Sequence, residues 1–287
     1  MSTRIPTMIC AGLLATASLA SGMTAAAADT KSCDKVSAND RIVALQQINN
    51  LMGRYSHLGQ LRGENTIGEL YALKTPGVSW RSSTGGPEGI EAMSARFLKA
   101  GDPIPALPAG QLHTHSMLTP VIEIAGDGKT AKGVWDSFQP GVNNADDVGS
   151  MAWIKYGVDF VKEDGVWKIW HLQLFPIFST PWDKSITQSA KDRREAAAAR
   201  AGGAGGGAPG AAPGAGAGGE RAGGGRVAGA APGGAVNPPG PATGRAGDPG
   251  WSSVKSSWRY DGLTAPRGPK IPEPYCSFDP ADSYTAT

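Results

Sequence analysis

Tyr156-Gly157-Val158-Asp159-Phe160-Val161-Lys162-Glu163-Asp164-Gly165-Val166-Trp167-Lys168-Ile169-Trp170-His171 decides how this chain folds. Aromatic and β-branched residues run up to Glu163 and resume after Gly165, and an Asp-Gly pair between two such runs is the strongest short-range sign of a tight hairpin. The stretch therefore predicts two antiparallel strands, Met151–Val161 and Val166–Phe178. Upstream the pattern repeats. Gly126-Asp127-Gly128 joins an apolar run over Thr114–Ile124 to another over Thr130–Phe138, and a polar loop from Pro140 to Gly149 leads onward.

Before residue 111 the spacing changes. Ser37 or Asn39 can cap a helix in which Ile42, Leu45, Ile48, Met52 and Tyr55 recur every three or four residues. Thr66–Leu73 reads as a short second helix, followed by a turn at Pro76-Gly77 and a strand over Val78–Arg81. Pro87 suits the first position of a third helix carrying Ile90, Met93 and Phe97 on one face. Helices followed by an antiparallel meander make an α+β fold, with helices on one face of a curved sheet.

Of the 287 residues, the two ends stand apart. Arg4, a short apolar run from Met8 to Ala20 and small residues at Thr24–Ala28 predict a signal peptide over 1–28. That run is too short to span a bilayer, which takes about 20 residues. Localisation is therefore expected to be periplasmic or secreted. The globular part is placed at 29–190, a Gly/Ala/Pro-rich linker at 191–250, and an extended aromatic and proline-rich tail at 251–287, packing back on the main domain. The linker holds too little apolar side chain to offset the entropy of ordering it. Cys33 and Cys276 flank the mature chain and suit either a disulfide or two separate thiols, because sequence carries no distance between them. A net charge of +2 without a basic stripe argues against nucleic acid.

Several pieces in this order resemble the SnoaL-like family of the nuclear-transport-factor superfamily: Arg54-Tyr55 on the first helix, His115 to Ile122 opening a strand, the turn Gly126 to Ala131, and Tyr156 to His171. The resemblance covers most of residues 38–182. It implies a cone-shaped barrel of a curved mixed, mainly antiparallel sheet with about three helices on its N-terminal side. It also implies a deep apolar pocket and a cofactor-free reaction. Fold does not fix chemistry, and such cones serve cyclases, dehydratases, isomerases and binders. The Trp-rich strands, Thr180-Pro181-Trp182-Asp183-Lys184 and Ile271-Pro272-Glu273-Pro274-Tyr275 are similar to a subgroup of bacterial diarylpropane lyases, which remove water and then formaldehyde from lignin-derived phenolic dimers.

Few residues can carry the chemistry. His113 and His115 lie two apart and share one face of a strand, as do Trp167, Ile169, His171 and Gln173 on the last one. If both faces line the cone, the imidazoles meet and can move protons near neutral pH. His115 matches the family's pocket histidine and is expected to be the base, with Tyr55, His113 and His171 as further catalytic candidates. Tyr156 and Asp159 are three apart, so they point to opposite faces. Trp80, Trp135, Trp153, Phe97, Gln60 and Gln173 are expected to hold substrate. Many members have an Asp five residues after the helix Tyr, and here that position is Gln60. Glu64 and Asp136 are alternatives for its role. His113, His115 and His171 could also form a three-histidine metal site, although the resemblance to a metal-free family points to no metal.

These observations predict a cofactor-independent lyase or dehydratase acting by acid–base chemistry on a hydrophobic phenolic molecule. The alternatives are a cyclase- or isomerase-like enzyme and a periplasmic binding module that transforms nothing. The expected partners are a small aromatic substrate and further copies of the chain, as a dimer or trimer; no membrane is expected once the leader is gone.

Overall fold

Helix α1, Ala38–Gln60, starts where Ser37 accepts the Asp40 backbone N–H (3.1 Å) and donates back to the Asp40 carboxylate (2.7 Å). The computed structural model describes residues 33–60, 67–98, 110–142, 148–203, 251–252 and 259–286. The expected leader, Glu64 and most of the expected linker lie outside them. The second helix expected over Thr66–Leu73 contracts to a 3₁₀ turn, Gly68–Leu70, because Tyr71 leaves the helical path to bridge Ile169 in parallel. Strand β1 spans Ser79–Arg81. Pro87, expected to open a helix, instead ends the two-residue strand β2, Gly86–Pro87, and helix α2, Ile90–Phe97, follows Gly89 at φ +87°.

The meander is β3 (Leu112–His113), β4 (Leu118–Ile124), β5 (Thr130–Val142), β6 (Ser150–Glu163) and β7 (Val166–Pro181). Its order is β1-β7-β6-β5-β3, with β4 also on β5 and only β1 parallel to its neighbour. Asp164 and Gly165 both have positive φ (+52° and +79°), the conformation a two-residue type I′ turn demands. The strand expected over Thr114–Ile124 is interrupted. Residues 114–117 leave the ladder, and the register slips between Leu118 and Val121, where Thr119 takes φ +45° just before Pro120. The curled sheet closes on α1 and α2 around Ile48, Met52, Met93, Val158, Phe160, Ile169 and Leu172, all buried.

The third full helix, α3 (Ile186–Gly203), follows the sheet rather than preceding it. The boundary expected at residue 190 therefore falls inside a helix. Helix α3 is tied down by Arg193, which donates to the Ser179 carbonyl at 2.7 Å. No helix among the described residues is long and apolar enough to cross a membrane.

One irregularity sorts the side chains of β7 between the two sheet faces. Asp159 opposes His171 while Phe160 opposes Ile169, so Trp170 is an extra residue bulged out of the ladder. Before the bulge Trp167 and Ile169 point inward; after it Leu172 and Leu174 do. His171 and Gln173 are thereby turned to the outer face.

That outer face is covered by a strap, residues 259–286. Tyr260 N–H donates to the Ile177 carbonyl (2.7 Å), and Gly126 and Asp127 N–H donate to the carbonyls of Tyr275 (2.8 Å) and Cys276 (2.9 Å). The Tyr284 ring rests on Gly157, where a Cβ would stand only 2.5 Å from it. Cys33 and Cys276 form a disulfide, which decides between the two alternatives the sequence leaves open.

Candidate functional site

Inside the cone, polar side chains gather from four segments. Helix α1 brings Tyr55, Ser56 and Gly59; the segment through β3 brings His113 and His115; β5 brings Ser137 and Gln139; β6 brings Tyr156. All are buried. His115 Nε2 lies 2.6 Å from the Tyr156 hydroxyl, and the Gln139 amide donates to the same oxygen at 3.0 Å. The Tyr55 ring meets both the His115 ring (centroids 5.3 Å apart) and the Tyr156 ring (6.3 Å) edge-on. The His113 and His115 rings are 6.2 Å apart. Ser56 Oγ donates to the His115 backbone carbonyl, fixing that irregular segment to the helix.

Gly59 sets how close the helix comes. A Cβ there would stand 2.3 Å from His115 Nδ1, well inside van der Waals contact. Gly59→Ala gains helix propensity of roughly 0.5–1 kcal/mol yet must push the imidazole aside. Because a misplacement of about 1 Å can cost about 10²-fold in rate, turnover should fall about that far with little loss of thermal stability; steady-state kinetics beside a melting curve check this.

Burial dominates the electrostatics. Desolvation, with the neighbouring His113 second, lowers the His115 pKa to about 3, so the ring is neutral at ordinary pH. Burial also raises Tyr156 well above the usual phenol value, against the pull of hydrogen bonds from Gln139 and Ser137. Tyr71 is raised for the same reason, reinforced by Tyr55 beside it. The resting cluster is thus a set of neutral phenols, imidazole and amide. Around it the aromatic core includes Trp80, Phe97, Trp135 and Phe160, with Phe97 stacked on Tyr71 at 5.2 Å.

Residues 40–173 match the family model described as the SnoaL-like domain. This stretch is a SnoaL-like domain. No match is found among curated proteins. Solved structures with a similar backbone include a protein described as a scytalone dehydratase from Novosphingobium aromaticivorans (17% identity, covering 52% of this chain and 95% of that one, TM-score 0.41). Others are hexachlorocyclohexane dehydrochlorinase LinA-type3 from Novosphingobium barchaimii (17%, 52% and 97%, 0.41) and ActVI-ORFA from Streptomyces coelicolor (10%, 46% and 96%, 0.37).

The SnoaL-like domain brings only part of the expected constellation together. His113, His115 and Tyr55 meet inside, and Trp80, Trp135 and Phe97 belong to the same interior. Gln60 ends α1, half-buried. Trp153 does not line the interior: β6 alternates, Ile154 and Tyr156 take the inward positions, and the Trp153 indole donates to Asp136 at 2.9 Å on the outer face. Asp136 itself pairs with Lys155 (2.7 Å) there and cannot serve the cone as a substitute for the missing Asp. His57 is exposed.

His171 and Gln173 are the main corrections. The Trp170 bulge turns them to the face opposite His115, so the three histidines do not converge and the three-histidine metal arrangement is not formed. His171 Nδ1 instead meets Asp159 Oδ2 at 3.0 Å beneath the strap, where Ser283 also donates to Asp159 (2.6 Å) and Lys132 approaches it at 3.8 Å. Gln173 opposes Gly157 and donates to the Leu174 carbonyl at 2.9 Å. A His–Asp pair therefore exists in this chain, but it anchors the strap. Asp159→Asn keeps an acceptor for Ser283 while leaving the buried Lys132 without a counter-charge. It should cost about 2 kcal/mol, read as a shift in denaturant midpoint.

Sequence reasoning missed Gln139, Ser137, Tyr71 and the pairing of Tyr156 with His115. The signal for β5 was available. With Trp135 inward, strict alternation puts Ser137 and Gln139 inward too, and the hairpin register sets Trp135 opposite Tyr156. Nothing in the pattern of residues 66–73 marks Tyr71 as leaving the helix for a bridge.

Proposed function

We propose that this chain is a cofactor-independent lyase that eliminates water from a hydrophobic, hydroxylated aromatic molecule by proton transfer inside the cone. The observation that carries the reading is the buried contact of His115 Nε2 with the Tyr156 hydroxyl at 2.6 Å, next to Tyr55 and within an aromatic interior. Neutral groups with closely spaced hydrogen bonds can hand on protons without covalent intermediates. Aromatic walls suit a planar phenolic body. A 4-hydroxyphenyl alcohol fits this chemistry: loss of its phenol proton and departure of its benzylic hydroxyl leave a quinone methide and water. Loss of formaldehyde by a retro-aldol step could follow, as the similarity to diarylpropane lyases implies, and it again needs only proton transfer.

Export is part of the same proposal. The apolar N-terminal run and a disulfide both fit an oxidising compartment, where such a molecule would be met outside the cytoplasm. A second reading, a small-molecule binder that transforms nothing, is favoured by the depth at which His115 is held neutral. The two are separated by incubating the pure protein with a phenolic 1,3-diol dimer. New ultraviolet absorbance from a conjugated product supports the lyase. Saturable binding with an unchanged spectrum and no released formaldehyde or water-loss product overturns it in favour of the binder.

A further inference from the structure

The geometry points to Tyr156 as the group that gives its proton to the departing hydroxyl, with His115 acting through it as a hydrogen-bond donor and not as the base. This deepens the lyase reading and rests on it.

The two ring nitrogens of His115 have different surroundings. Nδ1 faces Gly59, where the helix backbone closes the space, and it has no hydrogen-bond partner among the described residues. A buried N–H without an acceptor is rarer and costlier than an acceptor left bare. The proton of the neutral ring therefore belongs on Nε2, which then donates to the Tyr156 oxygen 2.6 Å away. The Gln139 amide donates to the same oxygen at 3.0 Å, and its other hydrogen bond, to Ser137 Oγ at 3.0 Å, fixes the amide's orientation. With two N–H donors pointing at its oxygen, Tyr156 is left with its own O–H proton aimed elsewhere in the cone.

Such an arrangement is built for a phenol that gives up a proton. Two donors already in place stabilise the phenolate as it forms and need no reorganisation at that moment. Burial keeps Tyr156 protonated in the resting site, against the pull of Gln139 and Ser137. The step balances. The substrate's phenol proton leaves to a base or to water, and its electron pair moves through the ring. The benzylic carbon–oxygen bond breaks, and the leaving oxygen takes the Tyr156 proton to depart as water. The phenolate is then reprotonated by the proton the substrate released. His115 is in this account a positioning residue: it sets the direction of the Tyr156 proton and steadies the charge left behind.

Two measurements test it. Nitrogen chemical shifts of His115 in labelled full-length protein at neutral pH should show the Nε2–H tautomer; the Nδ1–H tautomer, or a protonated ring, overturns the assignment whatever the activity. Tyr156→Phe, with fold and substrate affinity retained, should lose about 10²- to 10⁴-fold in kcat on the alcohol. It should recover most of that loss on the matching benzylic acetate, whose leaving group needs no proton. Equal loss on both substrates overturns the acid role and leaves the lyase reading standing. Absence of turnover of either substrate by the unaltered protein overturns both.

Discussion

Replacing His115 by glutamine should keep most of the turnover that replacement by alanine removes. A glutamine amide carries an N–H donor near the place of imidazole Nε2, so the Tyr156 oxygen keeps its second partner. Alanine removes that donor and should cost about 10²- to 10³-fold in kcat, the range for deleting one preorganised donor to a developing oxyanion. If His115 were instead the base, both variants would be equally inactive, since an amide accepts no proton at working pH. Steady-state kinetics on one phenolic alcohol, with circular dichroism to confirm the fold, decides between these outcomes. The pH profile gives a second reading. A ring whose pKa is about 3 stays neutral from there upward, so His115 supplies no acidic limb near pH 6, and the glutamine variant should share the wild-type profile.

The same residue couples stability to acid. The folded pKa of about 3 lies below the ordinary imidazole value of 6.5, so between those values the unfolded chain takes up a proton that the native one refuses. Acidification through that window therefore favours unfolding, by roughly 5 kcal/mol in total if His115 alone is considered. Above pH 6.5 both states are neutral and the effect vanishes. Calorimetry at pH 7 and pH 4 should show a larger drop in melting temperature for the wild type than for His115→Gln.

Much of the architecture was legible because the signals were local. Asp164-Gly165 needs only its own φ angles to force a hairpin, and once that hairpin is set, period-two alternation orders β5, β6 and β7. Tyr55 was legible for the same reason, because it lies on a regular helix whose buried side follows from spacing; His115 sits in the irregular stretch 114–117, and the family resemblance, not strand alternation, marks it. The failures cluster where the chain departs from regularity for a tertiary reason. A single extra residue at Trp170 inverts the facing of everything after it until the next bulge, and no residue type announces a bulge. His171 and Gln173 therefore lie on the outer face and not in the cone, and the His–Asp pair, His171 with Asp159, sits beneath the strap and supplies no carboxylate to His115. Contacts between distant segments, such as Ser283 on Asp159 or Gly59 against His115, have no footprint in a single sequence.

Breaking the Cys33–Cys276 bond should be the most destabilising change outside the cone. The two cysteines are 243 residues apart, and closing so long a loop in the unfolded chain corresponds to about 5 kcal/mol in the chain-entropy account of disulfides. For a protein of this size that translates to a melting temperature lower by about 10–20 °C. The effect should be concentrated in the strap. Without the link, residues 259–286 are held by their own contacts: the Tyr260, Tyr275 and Cys276 backbone bonds, Ser283 on Asp159, and Tyr284 on Gly157. Each neutral backbone hydrogen bond among them is worth about 1 kcal/mol, and the strap must be ordered against the whole set. When it lifts, Lys132, Asp159 and His171 lose their cover together, whereas Tyr55, His115 and Tyr156 on the opposite face do not. The Cys33→Ser/Cys276→Ser double variant should therefore show faster amide exchange across the strap and outer face while retaining turnover below its lowered melting temperature. Unchanged melting would show that the strap is held by its contacts alone, and a loss of turnover at a temperature where the fold persists would mean that the two faces of the sheet are coupled.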